Sequence, residues 1–239
     1  MQIKTKALVL SSIKYGESSL IVKAFTYTSG IKSYMLKGVL SSRKGKLKPS
    51  YFQPLTQLEI SAIHKDKGTL ERITEARINY HYLTIYSSPS KNAIVLFLAE
   101  MLSNSIYEEE QNSDLYTYLE TTFQWLDSHN TIPNFHIFFL IELTRYLGFY
   151  PETSNMNYDY FDLHEGAFVV FPGSKPYLTG DILELFKIFL GTKFDVMHTI
   201  AIDKGKRGEL LKAIILFFEV HLDGFKKPRS LAVLNEVFR

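Results

Sequence analysis

The chain has 239 residues, 46% of them hydrophobic, and a formal net charge of only +2. That total conceals a split: residues 1–75 carry 13 lysines and arginines against 5 acidic residues, and residues 76–239 carry 14 against 20. Cysteine is absent, which excludes disulfide bonds and any cysteine-ligated zinc or iron–sulfur site. A basic N-terminal part joined to an acidic remainder favours a polyanionic partner, with nucleic acid as the first candidate.

Two features of the sequence predict a cytoplasmic protein. Residues 1–6 lack the long apolar region and the cleavage site of a signal peptide. The longest apolar runs, at 93–99 and 213–218, are far shorter than the roughly 20 residues that span a bilayer. The length and the charge split together predict two domains, residues 1–78 and residues 79–239.

The first predicted domain has the pattern of a small all-β fold, in which runs of β-branched and aromatic residues alternate with turns. Gly16 and Gly30 stand at the first two turns, where a positive φ angle is needed. Five short strands must hide their edges, so we expect a five-stranded OB-type β-barrel, with an SH3-like barrel as the alternative. The predicted strands cover residues 7–15, 20–28, 31–40, 51–64 and 69–75.

A strongly basic loop, residues 41–50, separates the third and fourth predicted strands. Its cations are Arg43, Lys44, Lys46 and Lys48, and it contains no anion. The neighbouring strands supply more lysines, namely Lys4, Lys6, Lys14, Lys23, Lys32 and Lys37. We interpret these ten side chains as a DNA-binding surface, although the loop composition fits a solvated loop that binds nothing equally well.

Aromatic residues are interleaved with these cations, and nucleobases stack on exposed rings. The residues concerned are Tyr15, Phe25, Tyr27, Tyr34, Tyr51 and Phe52. We expect most of these rings to belong to the core. Alternation along the strands does not decide which of them are exposed, because Lys23 shares a strand face with two of the rings.

Beyond residue 78 the hydrophobic period becomes that of helices. The first predicted helix begins at the cap Ser90, and the second follows the capping candidates Asn112 and Ser113. The third is predicted from residue 133 to 148 and is apolar nearly all round, which indicates a buried place in a helical bundle. Further helices are predicted at residues 181–190, 209–222 and 231–238.

The stretch 150–180 interrupts the helices with three prolines and few helix signals. Residues 160–163 and 167–171 resemble strands and are separated by a short polar turn that ends at Gly166. A small β-hairpin insertion is therefore predicted here. The complete chain is expected to be an α+β protein, with the β-barrel followed by an α-helical bundle that contains this hairpin.

Motifs for catalysis and cofactor binding are missing from the sequence. Neither phosphate-binding glycine pattern, GxxxxGK[ST] or GxGxxG, occurs, and no histidines have the HxxxH or HExxH spacing of a metal site. The GxSxG pattern of serine hydrolases is also missing. We therefore expect a protein that is not an enzyme and that needs neither a cofactor nor a metal.

Several fragments carry a family resemblance. In the first domain they include Ala7-Leu8-Val9-Leu10, Lys14-Tyr15-Gly16-Glu17-Ser18, Leu36-Lys37-Gly38 and Phe52-Gln53-Pro54-Leu55. In the second they include Arg145-Tyr146-Leu147-Gly148-Phe149-Tyr150-Pro151 and His221-Leu222-Asp223-Gly224. On these fragments, which follow one another along most of the chain, the sequence resembles the RecO family of bacterial recombination mediators.

The resemblance implies a DNA repair factor that binds single- and double-stranded DNA and anneals complementary strands. It also implies RecR as a partner, and help in loading recombinase onto DNA coated by single-stranded-DNA-binding protein. In the family the acidic, hydrophobic-ended tail of that protein docks on the helical domain. We expect its site on an apolar helix surface rimmed by Lys204, Lys206, Arg207, Lys226, Lys227 and Arg229. Cations that merely offset helix dipoles are an equally good explanation.

The sequence departs from the family in one respect. Many RecO proteins hold zinc with four cysteines in the region after residue 151, and this chain has none, so zinc is not expected. Two other functions stay open from the residues alone. One is an adaptor whose barrel binds only protein, and the other is an RNA-binding factor without annealing activity.

Overall fold

A computed structural model describes residues 1–41, 47–65, 70–130, 132–173 and 176–238. Contacts divide the chain into two compact units, Met1–His129 and Asn130–Arg239. The last strand of the first unit ends at Ile78. The unit continues beyond that point because two helices pack with its sheet.

The first unit contains five strands that form one antiparallel sheet in the order β3-β2-β1-β4-β5. The strands are β1 (Gln2–Tyr15), β2 (Ser19–Thr26), β3 (Gly30–Leu36), β4 (Gln57–Ile63) and β5 (Arg72–Ile78). The predicted number of strands is confirmed. The fourth strand begins later than predicted, because Pro49–Phe52 forms a short 3-10 helix before it.

The sheet is not closed into a barrel, and the prediction of an OB-type barrel needs this correction. Among the described residues, β3 meets the chain before β5 at one parallel bridge, between Tyr34 and Glu71. There the N–H of Glu71 donates to the carbonyl oxygen of Ser33 at 2.8 Å, and the N–H of Met35 donates to that of Glu71 at 2.9 Å. In a closed barrel, a continuous ladder of hydrogen bonds would join β3 to β5. Here the bridge lies before β5, and from Arg72 onward the chain pairs with β4 instead.

One face of the sheet carries the hydrophobic core of the strands. Val22, Tyr34 and Ile60 are buried almost completely there, as alternation along strands predicts. The hydroxyl of Tyr34 lies 2.9 Å from Nε2 of buried His64, so these two polar groups satisfy each other. The opposite face of the sheet is covered by helices at one end.

Helices α1 (Pro89–Ser105) and α2 (Ser113–Ser128) provide this cover. The ring of Tyr116 on α2 packs against Phe25, with ring centroids 6.0 Å apart, and lies edge-on to Tyr27 at 5.6 Å. Such tilted and edge-on pairs are the favoured geometries of aromatic rings. Phe25 lies on the outer face of the sheet, the face away from the core of the strands. It is buried there because α2 covers it.

Both helices begin at polar caps. Asn112 caps α2 as predicted, because its side chain accepts a hydrogen bond from the N–H of Leu115 at 3.0 Å. The predicted cap of α1, Ser90, is wrong, since Ser88 occupies that position. Pro89 takes the first helical position, where its missing N–H costs no hydrogen bond.

A buried polar network joins the chain before α1 to the end of α2. The Asp127 carboxylate accepts hydrogen bonds from the backbone N–H groups of residues 83–85 at 2.8 to 3.1 Å. The ammonium of Lys91 donates to the Thr84 hydroxyl at 2.6 Å and to the Asp127 carbonyl oxygen at 2.8 Å. Burial by itself would raise the pKa of Asp127, but the backbone donors outweigh burial and lower it.

The second unit contains four described helices, namely α3 (Phe135–Tyr146), α4 (Gly180–Gly191), α5 (Lys204–His221) and α6 (Leu231–Val237). Helix α3 contacts α4 and α5 and is buried along most of its length, which confirms its predicted burial. Helix α5 begins at Lys204 rather than at residue 209, because Asp203 caps it by accepting from the N–H of Lys206. None of the described helices is long and apolar enough to span a membrane.

The predicted hairpin between α3 and α4 is present, and it belongs to a three-stranded sheet. Its strands are β6 (Tyr160–Asp162) and β7 (Ala167–Val169), with β8 (Tyr177–Leu178) on the other side of β6. The ring of Phe161 lies 4.9 to 5.9 Å, between centroids, from those of Phe168, Phe186 and Phe217. Aromatic packing therefore stabilises this region, which contains no cysteine.

Candidate nucleic-acid interface

The uncovered end of the sheet exposes an apolar row and a tyrosine. Ile13, Ile21 and Met35 stand directly opposite one another across β1, β2 and β3, on the face away from the core. Ile13 is 63% exposed, and Tyr15, two residues farther along β1, is 57% exposed. Ile21 and Met35 are half-buried. Accessible apolar side chains that adjoin one another are typical of binding surfaces.

Two lysines lie at the same end of the sheet. Lys14 pairs with Leu20 in the ladder, and Leu20 pairs in turn with Leu36, the last residue of β3. Lys37 follows directly, so the backbones of the two lysines are about two strand spacings, or roughly 10 Å, apart. Both lysines are exposed, and the chain after Lys37 is hydrogen-bonded to the β1–β2 turn.

A groove of about 650 Å³ adjoins this end of the sheet. It is lined by Met35 and Lys37, and by Lys65 and Arg72, which flank the β4–β5 connection. The N–H of Lys65 donates to the Glu71 carboxylate at 2.8 Å, which fixes the start of that connection. Met35 belongs to the apolar row and also lines the groove, and Lys37 lies beside it. The apolar row and the groove therefore form one surface. This surface, called the open end from here on, comprises Ile13, Lys14, Tyr15, Ile21, Met35, Lys37, Lys65 and Arg72.

Sequence reasoning missed Lys65 and Arg72. Lys67 of the same connection lies outside the described residues. In OB-type folds the loop between the fourth and fifth strands borders the ligand-binding face. The basic run from Lys65 to Lys67 is therefore the signal that would have identified this part of the surface.

The structure describes only the last part of the predicted basic loop. Arg43, Lys44 and Lys46 lie outside the described residues. Lys48 is exposed, and its ammonium lies 5.8 Å from the centre of the Tyr51 ring. Leu47 packs against the core of the sheet and lines the groove, so Lys48 stands next to the open end.

Two of the predicted cations are bound by protein groups at the covered end of the sheet. The Lys23 ammonium donates to the carbonyl oxygen of Ser103 at 2.6 Å, and burial lowers the pKa of Lys23. Lys32 is only 9% exposed and forms an ion pair with Glu109 at 2.9 Å. Ser103 and Glu109 belong to the end of α1 and to the segment that follows it. These lysines can meet phosphate only if that segment moves.

Two further predicted cations lie at the start of β1 and have acidic partners. Lys4 pairs with the Glu59 carboxylate at 2.7 Å, and Arg77 pairs with the same carboxylate at 2.5 Å. Hydrogen bonds from Lys4 and Arg77 lower the pKa of Glu59. Lys6 pairs with Glu120 at 3.0 Å. Although these cations are exposed, each has an acidic partner, and Lys4 and Arg77 share one carboxylate.

The structure decides which of the six candidate rings are accessible. Three are buried, namely Phe25, Tyr34 and Phe52. Tyr51 is half-buried, and Tyr27 is 37% exposed but packs against Tyr116. Tyr15 is the most exposed of the six and follows Ile13 on the same face of β1, whereas Lys14 between them points to the other face. Tyr15 is therefore the ring best placed to stack on a base.

In the second unit, a cleft of about 410 Å³ adjoins the start of α5 and helix α6. Apolar and basic side chains line this α5–α6 cleft together, among them Leu211, Leu234, Phe238, Lys204, Arg207 and Lys212. Burial lowers the pKa of Arg207, whose Nη2 donates to the Ile202 carbonyl oxygen at 3.0 Å. Burial, and then the charge of Arg207, lower the pKa of His136 in the cleft to about 3, so this histidine is neutral.

Lys204 and Arg207 are the predicted partner-binding residues that the structure brings into the cleft. Lys212, eight residues after Lys204 and on the same helical side, was missed. Two other predicted residues pair with acids outside the cleft: Lys206 with Asp181 at 2.7 Å, and Lys227 with Glu219 at 3.0 Å. The remaining two are exposed in the connection between α5 and α6, and these are Lys226 and Arg229.

The chemistry of these surfaces is that of recognition. The open end combines cations with aliphatic groups and one exposed ring, which suits a polyanion that carries flat bases. Within the described ranges, no three histidine, aspartate or glutamate side chains gather where they could hold a metal ion.

Two family models match the chain. The one described as "Recombination protein O N terminal" matches residues 1–82, and the one described as "Recombination protein O C terminal" matches residues 86–231. DNA repair protein RecO of Christiangramia forsetii is 49% identical, and that of Flavobacterium psychrophilum 50% identical, over the whole of both chains in each case. DNA repair protein RecO of Bacteroides fragilis is 35% identical over 98% of each chain.

Proposed function

The chain belongs to the RecO family of DNA repair proteins, and from this premise we propose that it is a recombination mediator that anneals complementary DNA strands. In this proposal the protein binds single- and double-stranded DNA. Together with RecR, it helps to load recombinase onto DNA coated by single-stranded-DNA-binding protein. It acts without catalysis, in the bacterial cytoplasm and on the nucleoid during repair.

The observation that carries the DNA-binding part is the grouping of cations around an exposed ring at the open end. Annealing brings two polyanions together, so a mediator must neutralise phosphates on both strands without selecting a sequence. Lysine and arginine side chains on a sheet surface provide charge without a hydrogen-bonding pattern for particular bases. Tyr15 adds a stacking surface that tolerates any base.

The predicted DNA-binding residues have different proposed roles. Lys14, Lys37, Lys48, Lys65 and Arg72 contact phosphate directly, because they are exposed at or beside the open end. Arg43, Lys44 and Lys46 extend this surface from the basic loop. Lys23 and Lys32 exchange a protein partner for phosphate on binding. Lys4 and Lys6 keep their acidic partners and do not contact phosphate.

Two matched triple variants test this assignment. The first combines Lys37→Ala, Lys65→Ala and Arg72→Ala at the open end. The control combines Lys4→Ala, Lys6→Ala and Arg77→Ala, which removes the same charge from compensated pairs. Fluorescence polarisation with a labelled single strand is measured as a function of salt. Each lost phosphate contact should reduce the slope of log affinity against log salt by about 0.7.

We expect the slope of log affinity against log salt to fall by about 2 in the open-end variant, because that variant loses three phosphate contacts. The slope should change little in the control variant. An equal loss in both variants would show that only total charge matters. An affinity that does not depend on salt would refute the DNA-binding proposal itself. An annealing time course with complementary strands then tests the mediator activity.

The apolar row Ile13–Ile21–Met35 favours a second candidate function, a protein-binding adaptor, because aliphatic rows also serve protein interfaces. The adaptor would give no polarisation signal with an oligonucleotide at moderate salt. An RNA-binding role is separated from both by competition between DNA and RNA strands of the same sequence.

We also propose that the α5–α6 cleft receives the acidic, hydrophobic-ended tail of single-stranded-DNA-binding protein. Its apolar lining fits a hydrophobic end group, and Lys204, Arg207 and Lys212 complement acidic residues. A labelled peptide with the sequence of that tail tests this docking. Lys204→Glu with Lys212→Glu should weaken binding strongly, whereas the control pair Lys226→Glu with Lys227→Glu should not. The reverse result would place the tail outside the cleft.

A further inference from the structure

The segment that follows α1 lies against the turn between β2 and β3. The N–H of Ile31 donates to the carbonyl oxygen of Glu108 at 2.9 Å. Gly30 allows this close approach, because a Cβ there would collide with the carbonyl oxygens of Glu108 and Glu110. Gly30 also has a φ of +56°, which favours glycine independently. We refer to residues 107–110, Tyr-Glu-Glu-Glu, as the acidic segment.

The acidic segment and the end of α1 occupy the two predicted DNA-binding lysines of the covered end. Glu109 binds the ammonium of Lys32 at 2.9 Å. The ammonium of Lys23 lies 5.6 Å from the centre of the Tyr107 ring and donates to the Ser103 carbonyl oxygen. A carbonyl oxygen and a carboxylate thus bind two ammonium groups that the proposed function assigns to phosphate.

The covered end continues the same sheet face as the open end. Lys23 follows Ile21 by two residues along β2, so the two side chains point to the same side of the sheet. On β3, Ile31 and Met35 share a face for the same reason. On this face, Lys23 lies beneath the end of α1 and Tyr107, and Ile31 is bonded to Glu108, so the surface proposed to bind DNA extends beneath them. Lys32 pairs with Ala24 of the core, so its side chain leaves the other side of the edge strand β3, where Glu109 binds it.

We infer that the acidic segment is an internal competitor of nucleic acid, which covers a second part of the DNA-binding surface until a polyanion displaces it. This inference rests on the function proposed above and concerns the regulation of that same site. The Glu109 carboxylate is 68% exposed, so salt and a competing anion can reach it, whereas Lys32 is only 9% exposed and needs an anionic partner in its place. A strand that spans both ends of the sheet offers many phosphates in its place.

Hydrogen exchange at two backbone amides tests the displacement. The Ile31 amide is bonded to the acidic segment, whereas the nearby Tyr27 amide donates to the Lys6 carbonyl oxygen within the sheet, at 3.0 Å. With a saturating single strand of about 16 nucleotides, near the upper site size of an OB fold, we expect exchange at Ile31 to become at least tenfold faster. Exchange at Tyr27 should not become faster.

Two single substitutions separate displacement from general charge repulsion. Glu109→Gln removes the carboxylate that lies 2.9 Å from the Lys32 ammonium, and Glu110→Gln removes the same charge one residue away. We expect oligonucleotide affinity to rise about three- to tenfold in the first variant and less than twofold in the second. Equal increases would overturn the inference, because repulsion alone would explain them.

The failures of the two proposals are distinguishable. Salt-dependent binding of the oligonucleotide with unchanged exchange at Ile31 would overturn only the role of the acidic segment. The absence of binding in the wild type and in every variant would refute the proposed DNA-binding function, and the inference with it.

Discussion

The two ends of the outer sheet face carry similar residue types in different environments. At the covered end Tyr27 packs against α2 and Lys23 is bound to the end of α1, while Lys32, on the core side of β3, is bound to the acidic segment. At the open end Tyr15 and Lys37 project into solvent. Lysine and tyrosine thus stabilise the first unit at one end and remain available for a ligand at the other. Residue type alone does not tell the two roles apart.

Removing the Asp127 carboxylate should have the largest effect on the covered end. Asp127→Ala leaves three backbone N–H groups of residues 83–85 without their acceptor, and it removes a negative charge that favours the charged form of buried Lys91. We expect the free energy of unfolding to fall by about 3 kcal/mol. Chemical denaturation measures it, with Glu110→Gln as an exposed acidic control expected to cost less than about 1 kcal/mol. A loss below that of the control would contradict the anchoring role.

The Asp127 contribution should also depend on pH. Its pKa is lowered in the folded protein, so its stabilisation is complete above the unfolded value of about 3.9 and is lost as the pH falls through the folded value. The difference in unfolding free energy between wild type and Asp127→Asn should therefore be larger at pH 7 than at pH 2. A difference that does not change with pH would show that the pKa of Asp127 is the same in the folded and the unfolded state.

The two tyrosines should respond in opposite ways. Tyr15→Ala is expected to lower affinity for single-stranded DNA about tenfold, since stacking on a ring contributes about 1 to 3 kcal/mol per base, and to leave stability almost unchanged. Tyr27→Ala is expected to lower stability through lost packing against Tyr116, with little effect on affinity. Tyr15→Phe is the control that keeps the ring. Equal effects of both alanine variants on affinity would break the comparison between the two ends.

The smallest effect is expected at the start of β1. Lys4→Ala removes one member of an exposed ion-pair group in which Arg77 still compensates Glu59. We expect the thermal unfolding temperature to stay the same, because exposed ion pairs contribute little to stability. A clear decrease in that temperature would mean that the group is more important to the sheet than its exposure indicates.

Local patterns were sufficient for much of the fold. The alternation of strands and glycine turns predicted five strands. The Asn112 cap of α2 and the burial of α3, which is apolar nearly all round, were also predicted correctly. These features depend on residues close together in the chain. The third strand of the small sheet, Tyr177–Leu178, is too short to produce a pattern of its own.

The candidate site was less predictable. Lys23 and Lys32 were grouped with Lys37 because all three are lysines in adjacent strands, yet only Lys37 is open to solvent. The contacts that bind the other two come from residues 103 and 109, about 80 positions away in the sequence. Strand spacing contains no information about such contacts.

The sequence by itself determined the excess of positive charge in the first third of the chain, the β-then-α order of elements and, through its fragments, the family. Only the tertiary structure decided which cations are compensated, which ring is exposed and that the five-stranded sheet is not closed. Charge and periodicity are properties of neighbouring residues. Compensation, exposure and closure depend on which distant segments pack against each face of the sheet.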